Sequence, residues 1–174
     1  MLTIAKLGIE AWTYYTDTAQ IDYYTKGGEP PGEWIGTAAE ALQLKGQITP
    51  EELKAIFEGF HPRTKQPLVA NAGKKDGKRA RCPGHDFAIQ IPKHVSVYFS
   101  QTKSVEDQKS ILEGFHEAIK KMTSLLEKEA GYSVVWKKGK KVRIRSKLLF
   151  AVFPHMVTRE GDPGLHAHIL CLNV

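Results

Sequence analysis

Leu148-Leu-Phe-Ala-Val-Phe-Pro-His155-Met-Val-Thr-Arg-Glu-Gly-Asp-Pro-Gly-Leu165-His166-Ala-His168-Ile-Leu-Cys-Leu172 carries two apolar, strand-like runs, 148–156 and 165–172. Between them lies a connector, Thr158 to Gly164, rich in Gly, Pro and Asp. Such a connector is long enough to fold the two runs into an antiparallel pair. Side chains alternate along a strand, so His166 and His168 leave one face together with Leu170 and Leu172. His155 ends the preceding strand. Opposite or diagonal residues of an antiparallel pair hold their Cβ atoms roughly 5 to 8 Å apart, from which three imidazoles can converge on one ion.

Working outward, Ser104 begins a long helix with Ile111, Leu112, Phe115, Ile119, Met122, Leu125 and Leu126 at three- and four-residue spacing, ending at Gly131. Tyr132 to Lys137 and Val142 to Arg145 read as strands about a Gly139 turn. Upstream, His85 to Ile91 alternates: Phe87, Ile89 and Ile91 share one face, Asp86, Ala88 and Gln90 the other, and Pro92 interrupts the ladder. Thr49-Pro-Glu-Glu has the form of a capped helix start for a helix to about Phe57, before Gly59. Thr3 to Leu7 is a short first strand, and Ile9 to Thr16 a short helix or turn carrying aromatics. Gly27, Gly28, Pro30, Pro31 and Gly32 break regular structure. His61 to Gly84 offers almost nothing to bury and reads as an exposed, mobile loop. The sum is an α+β fold, a long helix packed on an antiparallel sheet.

The 174 residues have the length of one domain, and 41 % hydrophobic with 25 % charged residues is a soluble, globular composition. No run approaches the roughly 18 apolar residues of a membrane span, and the start lacks the regions of a signal peptide. Cys82 and Cys171 are too few for a disulfide framework. A cytoplasmic location is expected. The net charge of +6 favours a polyanionic partner. Lys74, Lys75, Lys78, Arg79 and Arg81 form one basic run, and Lys137, Lys138, Lys140, Lys141, Arg143, Arg145 and Lys147 a second. Each precedes a candidate strand, so together they read as a phosphate track.

Three imidazoles leave a coordination position open for water or a phosphate oxygen, which catalysis needs, whereas structural zinc is usually closed by four protein ligands. His61, His85, His94 and His116 are read as ordinary surface or packing histidines, His85 least securely because it adjoins Asp86. Tyr14, Tyr15, Tyr23 and Tyr24 place four of six tyrosines within eleven residues. An aromatic cluster over the sheet accounts for at least two. For another to act as a nucleophile, its phenol, with an ordinary pKa of about 10, needs a base or a nearby cation.

Paired tyrosines, a strand Asp in Asp86-Phe-Ala-Ile-Gln-Ile-Pro-Lys-His-Val-Ser96, and His155 followed by His166-Ala-His168 resemble the HUH endonuclease superfamily, most nearly the conjugative relaxases of the MobF type, the TrwC/TraI kind. The resemblance spans nearly the whole chain, and its last motif is the most specific. His94 departs from it, standing where family members commonly carry a small residue. The resemblance implies a palm-like HUH fold and a single nicking domain over residues 1–174. Such domains continue well beyond the histidine pair, whereas this chain stops six residues after His168, so a sheet incomplete at the C-terminus and an N-terminal fragment of a larger protein are expected. It further implies Tyr14 as nucleophile, forming a 5′-phosphotyrosyl link, with Tyr23 or Tyr24 serving a second transfer. His155, His166 and His168 would hold one divalent metal ion (Mg, Mn or Zn), and Asp86 would orient a ligand histidine or help deprotonate the phenol. The implied partners are single-stranded DNA at an origin of transfer and relaxosome accessory and coupling proteins, with a monomeric chain. Rival expectations are a rolling-circle replication initiator, a metal-dependent phosphoesterase using water, and a non-enzymatic single-strand-binding module with Trp12, Trp34 and the tyrosines as platforms.

Overall fold

A computed structural model describes residues 1–20, 30–75, 77, 80–158 and 160–174, with the backbone alone for 17–20. Tyr23, Tyr24, Gly27, Gly28, Lys78, Arg79 and Arg159 therefore lie outside the described residues. The elements run β1 (Leu2–Lys6), α1 (Trp12–Gln20), β2 (Glu33–Ile35), α2 (Thr37–Ala41), α3 (Pro50–Glu58), β3 (Gly84–Gln90), α4 (Lys93–Gln101), α5 (Val105–Ala130), β4 (Tyr132–Lys137), β5 (Lys140–Arg145), β6 (Leu149–Val157) and β7 (Pro163–Leu172). Five strands form one sheet in the order β1-β3-β7-β6-β2, while β4 and β5 form a separate hairpin. Every pairing is antiparallel. The strand with the paired histidines is thus the central one.

Alternation divides the sheet chemically. Leu170, Leu172, Leu149, Ala151 and Phe153 face a core completed by Leu53, Ile56 and Phe57 of α3, Ala38 and Ala39 of α2, and Tyr15 of α1. On the reverse face Phe150, Val152, Leu165, Ala167 and Ile169 pack with Phe115 and Ile119 of α5. The expected α+β architecture with an antiparallel sheet is present, and helices cover both faces rather than one. The α5 stripe holds except at Leu125, which is 59 % exposed. Its neighbour Leu126 takes the place against the sheet.

The helix signals are realised as hydrogen bonds. The Thr49 side chain accepts from the Glu52 amide while the Glu52 carboxylate accepts from the Thr49 amide, and Gly59 closes α3 in the left-handed conformation at φ 88°. Ser104 caps α5 by accepting from the Asp107 amide. The Glu127 carboxylate, near the end of α5, accepts from the Leu148 amide at 2.8 Å and from the Thr37 hydroxyl, tying α5 to α2 and to the approach to β6.

Three elements escaped the sequence reading. Strand β2 has three residues and α2 five, too short for a period to register. Helix α4 starts directly after Pro92 with no side-chain cap, and Val95 and Val97 mask its helical character. Among its described residues the segment 61–83 holds no helix or longer strand, as expected, but it does bury something. Arg81 is 5 % exposed. Its Nε donates to the Phe57 carbonyl at 2.6 Å, and one terminal nitrogen donates to those of Ile56 and Asn173 at 3.1 and 2.7 Å. Arg81 therefore does not belong to a phosphate track. It satisfies the Phe57 carbonyl at the end of α3, adds to the Gly59 amide as a donor to Ile56, and clamps that helix to the end of β7.

Candidate active site

The β6–β7 register sets His155 directly opposite His166 and Phe153 opposite His168. Ring centroids of the three imidazoles lie 5.1, 5.5 and 5.6 Å apart. Three Nε2 ligands at about 2.1 Å from one ion, in roughly tetrahedral directions, would put ring centres about 5 Å apart, so the spacing suits a tri-imidazole site. Among the described residues no group of three or more His, Cys, Asp or Glu side chains is arranged to hold a metal ion as it stands. The fit is therefore one of ring spacing and chemistry.

Hydrogen bonds fix two tautomers. His166 Nδ1 lies 2.6 Å from the Gly164 carbonyl oxygen. A carbonyl can only accept, so Nδ1 carries the proton and Nε2 the lone pair. His168 Nδ1 lies 2.6 Å from Asp86 Oδ2, with the same consequence. Both nitrogens with lone pairs are the ones a metal would need. Strand β3 supplies Asp86 because its register places Asp86 opposite Leu170 and Ala88 opposite His168, on the histidine face. Among the described residues Asp86 Oδ1 is buried and has no donor, so the carboxylate keeps acceptor capacity beside the tyrosines.

Helix α1 places the first tyrosine pair over this face, and the two members differ sharply. Tyr15 is 5 % exposed, stacks on Phe153 at 5.5 Å and donates its hydroxyl to Asp86 Oδ2 at 3.0 Å. Burial, then the Asp86 charge, pushes its phenol well above the ordinary tyrosine value. Tyr14 is 52 % exposed, with its ring centroid 6.3 Å from that of His168. Adjacent helical residues point about 100° apart, which is why one phenol is packed and the other open. Tyr23 and Tyr24 lie outside the described residues, so their relation to the site is not described.

The other histidines keep ordinary roles. His61 Nδ1 accepts from the amides of Arg63 and Thr64 and closes a local turn, and His85, His94 and His116 are exposed. Lys75 pairs with Glu10 at 2.9 Å across solvent. Residues not singled out as site residues from the sequence also build the site. The Gly164 carbonyl orients His166, Phe153 backs Tyr15, and fully buried Ser96 accepts from the Leu165 amide at 3.0 Å, fixing the entry to β7 from α4.

Set against known proteins, residues 9–174 match the sequence profile described as TrwC relaxase. Two proteins described as multifunctional conjugation protein TraI, from Escherichia coli and from its strain K12, are each 28 % identical to the chain, over 174 and 178 residues. These matches cover 99 % and 100 % of the chain, which spans only 9 % of the length of either relative. Among solved structures, the copper-bound complex of conjugative relaxase TrwC with oriT DNA superposes with a TM-score of 0.77 at 26 % identity. A metal-bound complex of TrwC with oriT DNA gives 0.76 at 27 %. Each comparison covers 99 % of this chain and 57 % of the TrwC chain.

Proposed function

The chain belongs to the TrwC relaxase family, and on that premise we propose that its 174 residues act as one catalytic unit that nicks a single DNA strand at an origin of transfer and holds the cut end for transfer. The observation that carries this reading is the meeting of an open phenol, Tyr14, with three imidazoles and a buried carboxylate on one sheet face.

Tyr14 Oη attacks the scissile phosphorus and its proton passes toward the Asp86 carboxylate. The bond from phosphorus to the 3′-oxygen breaks, that oxygen keeps the electron pair and takes up a proton, and the 5′-phosphate remains on Tyr14. One phosphate ester replaces another, so religation or transfer proceeds without ATP. His155, His166 and His168 would hold one divalent metal ion, which when bound supplies charge to polarise a non-bridging phosphate oxygen. Imidazole ligands suit zinc, copper, nickel or manganese better than magnesium. Asp86 fixes the His168 ring, and Gly164 the His166 ring, so that both present Nε2. Tyr15 braces Asp86 from a buried position and is a positioning residue. The Tyr23 and Tyr24 pair would serve a second transfer.

The test is incubation with end-labelled single-stranded DNA carrying the cognate origin, with manganese, read by denaturing gel and mass spectrometry. A phosphotyrosyl adduct on Tyr14, lost in Tyr14→Phe and in His166→Ala, is the expected result. Metal-dependent cleavage with no adduct would replace the tyrosine mechanism with attack by water. Binding without cleavage, in this chain and in a longer one, would reduce it to a binding module.

A further inference from the structure

The Gly164 carbonyl that holds the His166 ring is one end of a peptide group whose other end is the Leu165 amide. A peptide group is planar, and in the trans form its C=O and N–H point in opposite directions and can only turn together. Whatever grips the Leu165 N–H therefore also aims the Gly164 oxygen. That partner is the Ser96 hydroxyl, which accepts from the Leu165 amide at 3.0 Å. At the other end His166 Nδ1 donates to the Gly164 oxygen at 2.6 Å. Ser96 is 1 % exposed, so this short chain of hydrogen bonds begins in the dry interior, where such bonds are strong and polarise one another.

Ser96 fills a place that a strand would ordinarily take. The Ile91 amide donates to the Leu165 carbonyl at 3.2 Å, one half of the exchange that a hydrogen-bonded antiparallel pair makes. The chain then turns at Pro92 into α4, and the Ser96 amide, one helical turn on, donates to the Pro92 carbonyl at 3.3 Å. The other half of the exchange is thereby left to the Ser96 side chain. The preceding peptide group is held from the same helix. Lys93 Nζ donates to the Pro163 carbonyl at 2.9 Å and lies 3.9 Å from Asp162 Oδ2. The turn closes on itself where the Thr158 amide donates to the Asp162 carbonyl at 2.8 Å. A Cβ at Gly164 would lie 2.5 Å from Thr158 Cγ2, so a residue without a side chain lets the two backbones approach. His168 takes its orientation from a different source, Asp86 on β3.

We propose that Ser96 is a positioning residue for metal binding, acting through the Gly164–Leu165 peptide group to keep His166 protonated on Nδ1 with its lone pair on Nε2. Lys93 steadies the adjoining Pro163–Gly164 peptide group from the solvent side. The inference rests on the reading of His155, His166 and His168 as the ligands of a nicking site, and adds the helix α4 to what prepares them.

The experiment reads the imidazole tautomers of the metal-free, isotope-labelled chain by long-range proton–nitrogen correlation NMR, with the His166 signals identified from His166→Ala, and measures manganese affinity by calorimetric titration. Ser96→Ala should populate the Nε2-protonated tautomer at His166 while His168 stays as it was. It should also weaken manganese binding roughly tenfold, the lower end of the loss expected when an orienting partner is removed. Ser96→Thr keeps the acceptor and should keep the wild-type tautomer. Lys93→Met removes the donor to Pro163 from a side chain that is 55 % exposed, and should shift His166 the same way by a smaller amount. Thr123→Ala, which deletes a buried hydroxyl bonded within α5, should shift neither ring. An unshifted His166 in both Ser96→Ala and Lys93→Met, a manganese affinity unchanged in Ser96→Ala, or a shift shared equally by His168 or by Thr123→Ala would each overturn the proposal. Failure of the nicking reading shows separately, as a wild-type chain that takes up no manganese and forms no Tyr14 adduct, because the tautomers are read without metal.

Discussion

At the scale of single residues, two adjacent tyrosines of the same chemistry differ in burial, Tyr15 packed against the sheet and Tyr14 exposed. Tyr15→Phe removes one hydrogen bond to a buried carboxylate and is expected to cost about 2 kcal/mol in urea denaturation while leaving the covalent adduct detectable. Tyr14→Phe should do the reverse, abolishing the adduct with stability little changed; an adduct surviving in that variant would move the nucleophile elsewhere. Asp86→Asn replaces the acceptor that holds His168, and a 10- to 100-fold loss of metal affinity by calorimetric titration is expected. Unchanged affinity would remove Asp86 from its orienting role. On the reverse face, burial and then Glu127 push the Cys171 thiol up to about 11. A raised thiol pKa adds stability that is full below the ordinary value and is lost as pH climbs through the folded one. At pH 8 the thiolate is scarce, so iodoacetamide should spare Cys171 in the folded protein and label it once denaturant is added. Rapid labelling without denaturant would contradict the packing described.

Elements are held by end contacts as much as by their apolar faces. The capping box of α3 involves exposed groups, and Thr49→Ala should cost about 1 kcal/mol. At the other end of the same helix, Arg81→Ala strands the carbonyls of Phe57 and Asn173 and removes one of two donors to Ile56, and a loss on the order of 3 kcal/mol is expected from the three hydrogen bonds. Equilibrium urea melts of the two variants rank the contributions. If Arg81→Ala proved no worse than Thr49→Ala, Arg81 would be a surface cation after all. The first basic run therefore splits: Lys74 and Lys75 stay in solvent while Arg81 turns into the fold, whereas the cations of the second run line the exposed β4–β5 hairpin.

For the whole molecule, the candidate site lies on one face of a sheet that packs apolar side chains on both faces, and neither cluster includes the three histidines. Chelation is accordingly expected to abolish adduct formation while leaving the melting transition and salt-dependent DNA binding nearly intact, the latter because phosphate contacts come from Lys and Arg. Collapse of the fold on chelation, seen by circular dichroism, would mean that the histidines serve stability. How much of this was legible in the chain depends on range. The antiparallel pair, the common face of His166, His168 and Leu170, the caps at Thr49 and Ser104 and the α5 stripe are periodic or local, so the sequence by itself determined them, and the spacing of His155 from the pair with them. The opposed register of His155 and His166, the choice of Tyr14 as the open phenol, the inward turn of Arg81 and the covering of both sheet faces were decided only by tertiary structure. Each of these depends on which distant segments share a surface, and β3, α1 and β7 meet across 70 residues or more, where no local period carries information.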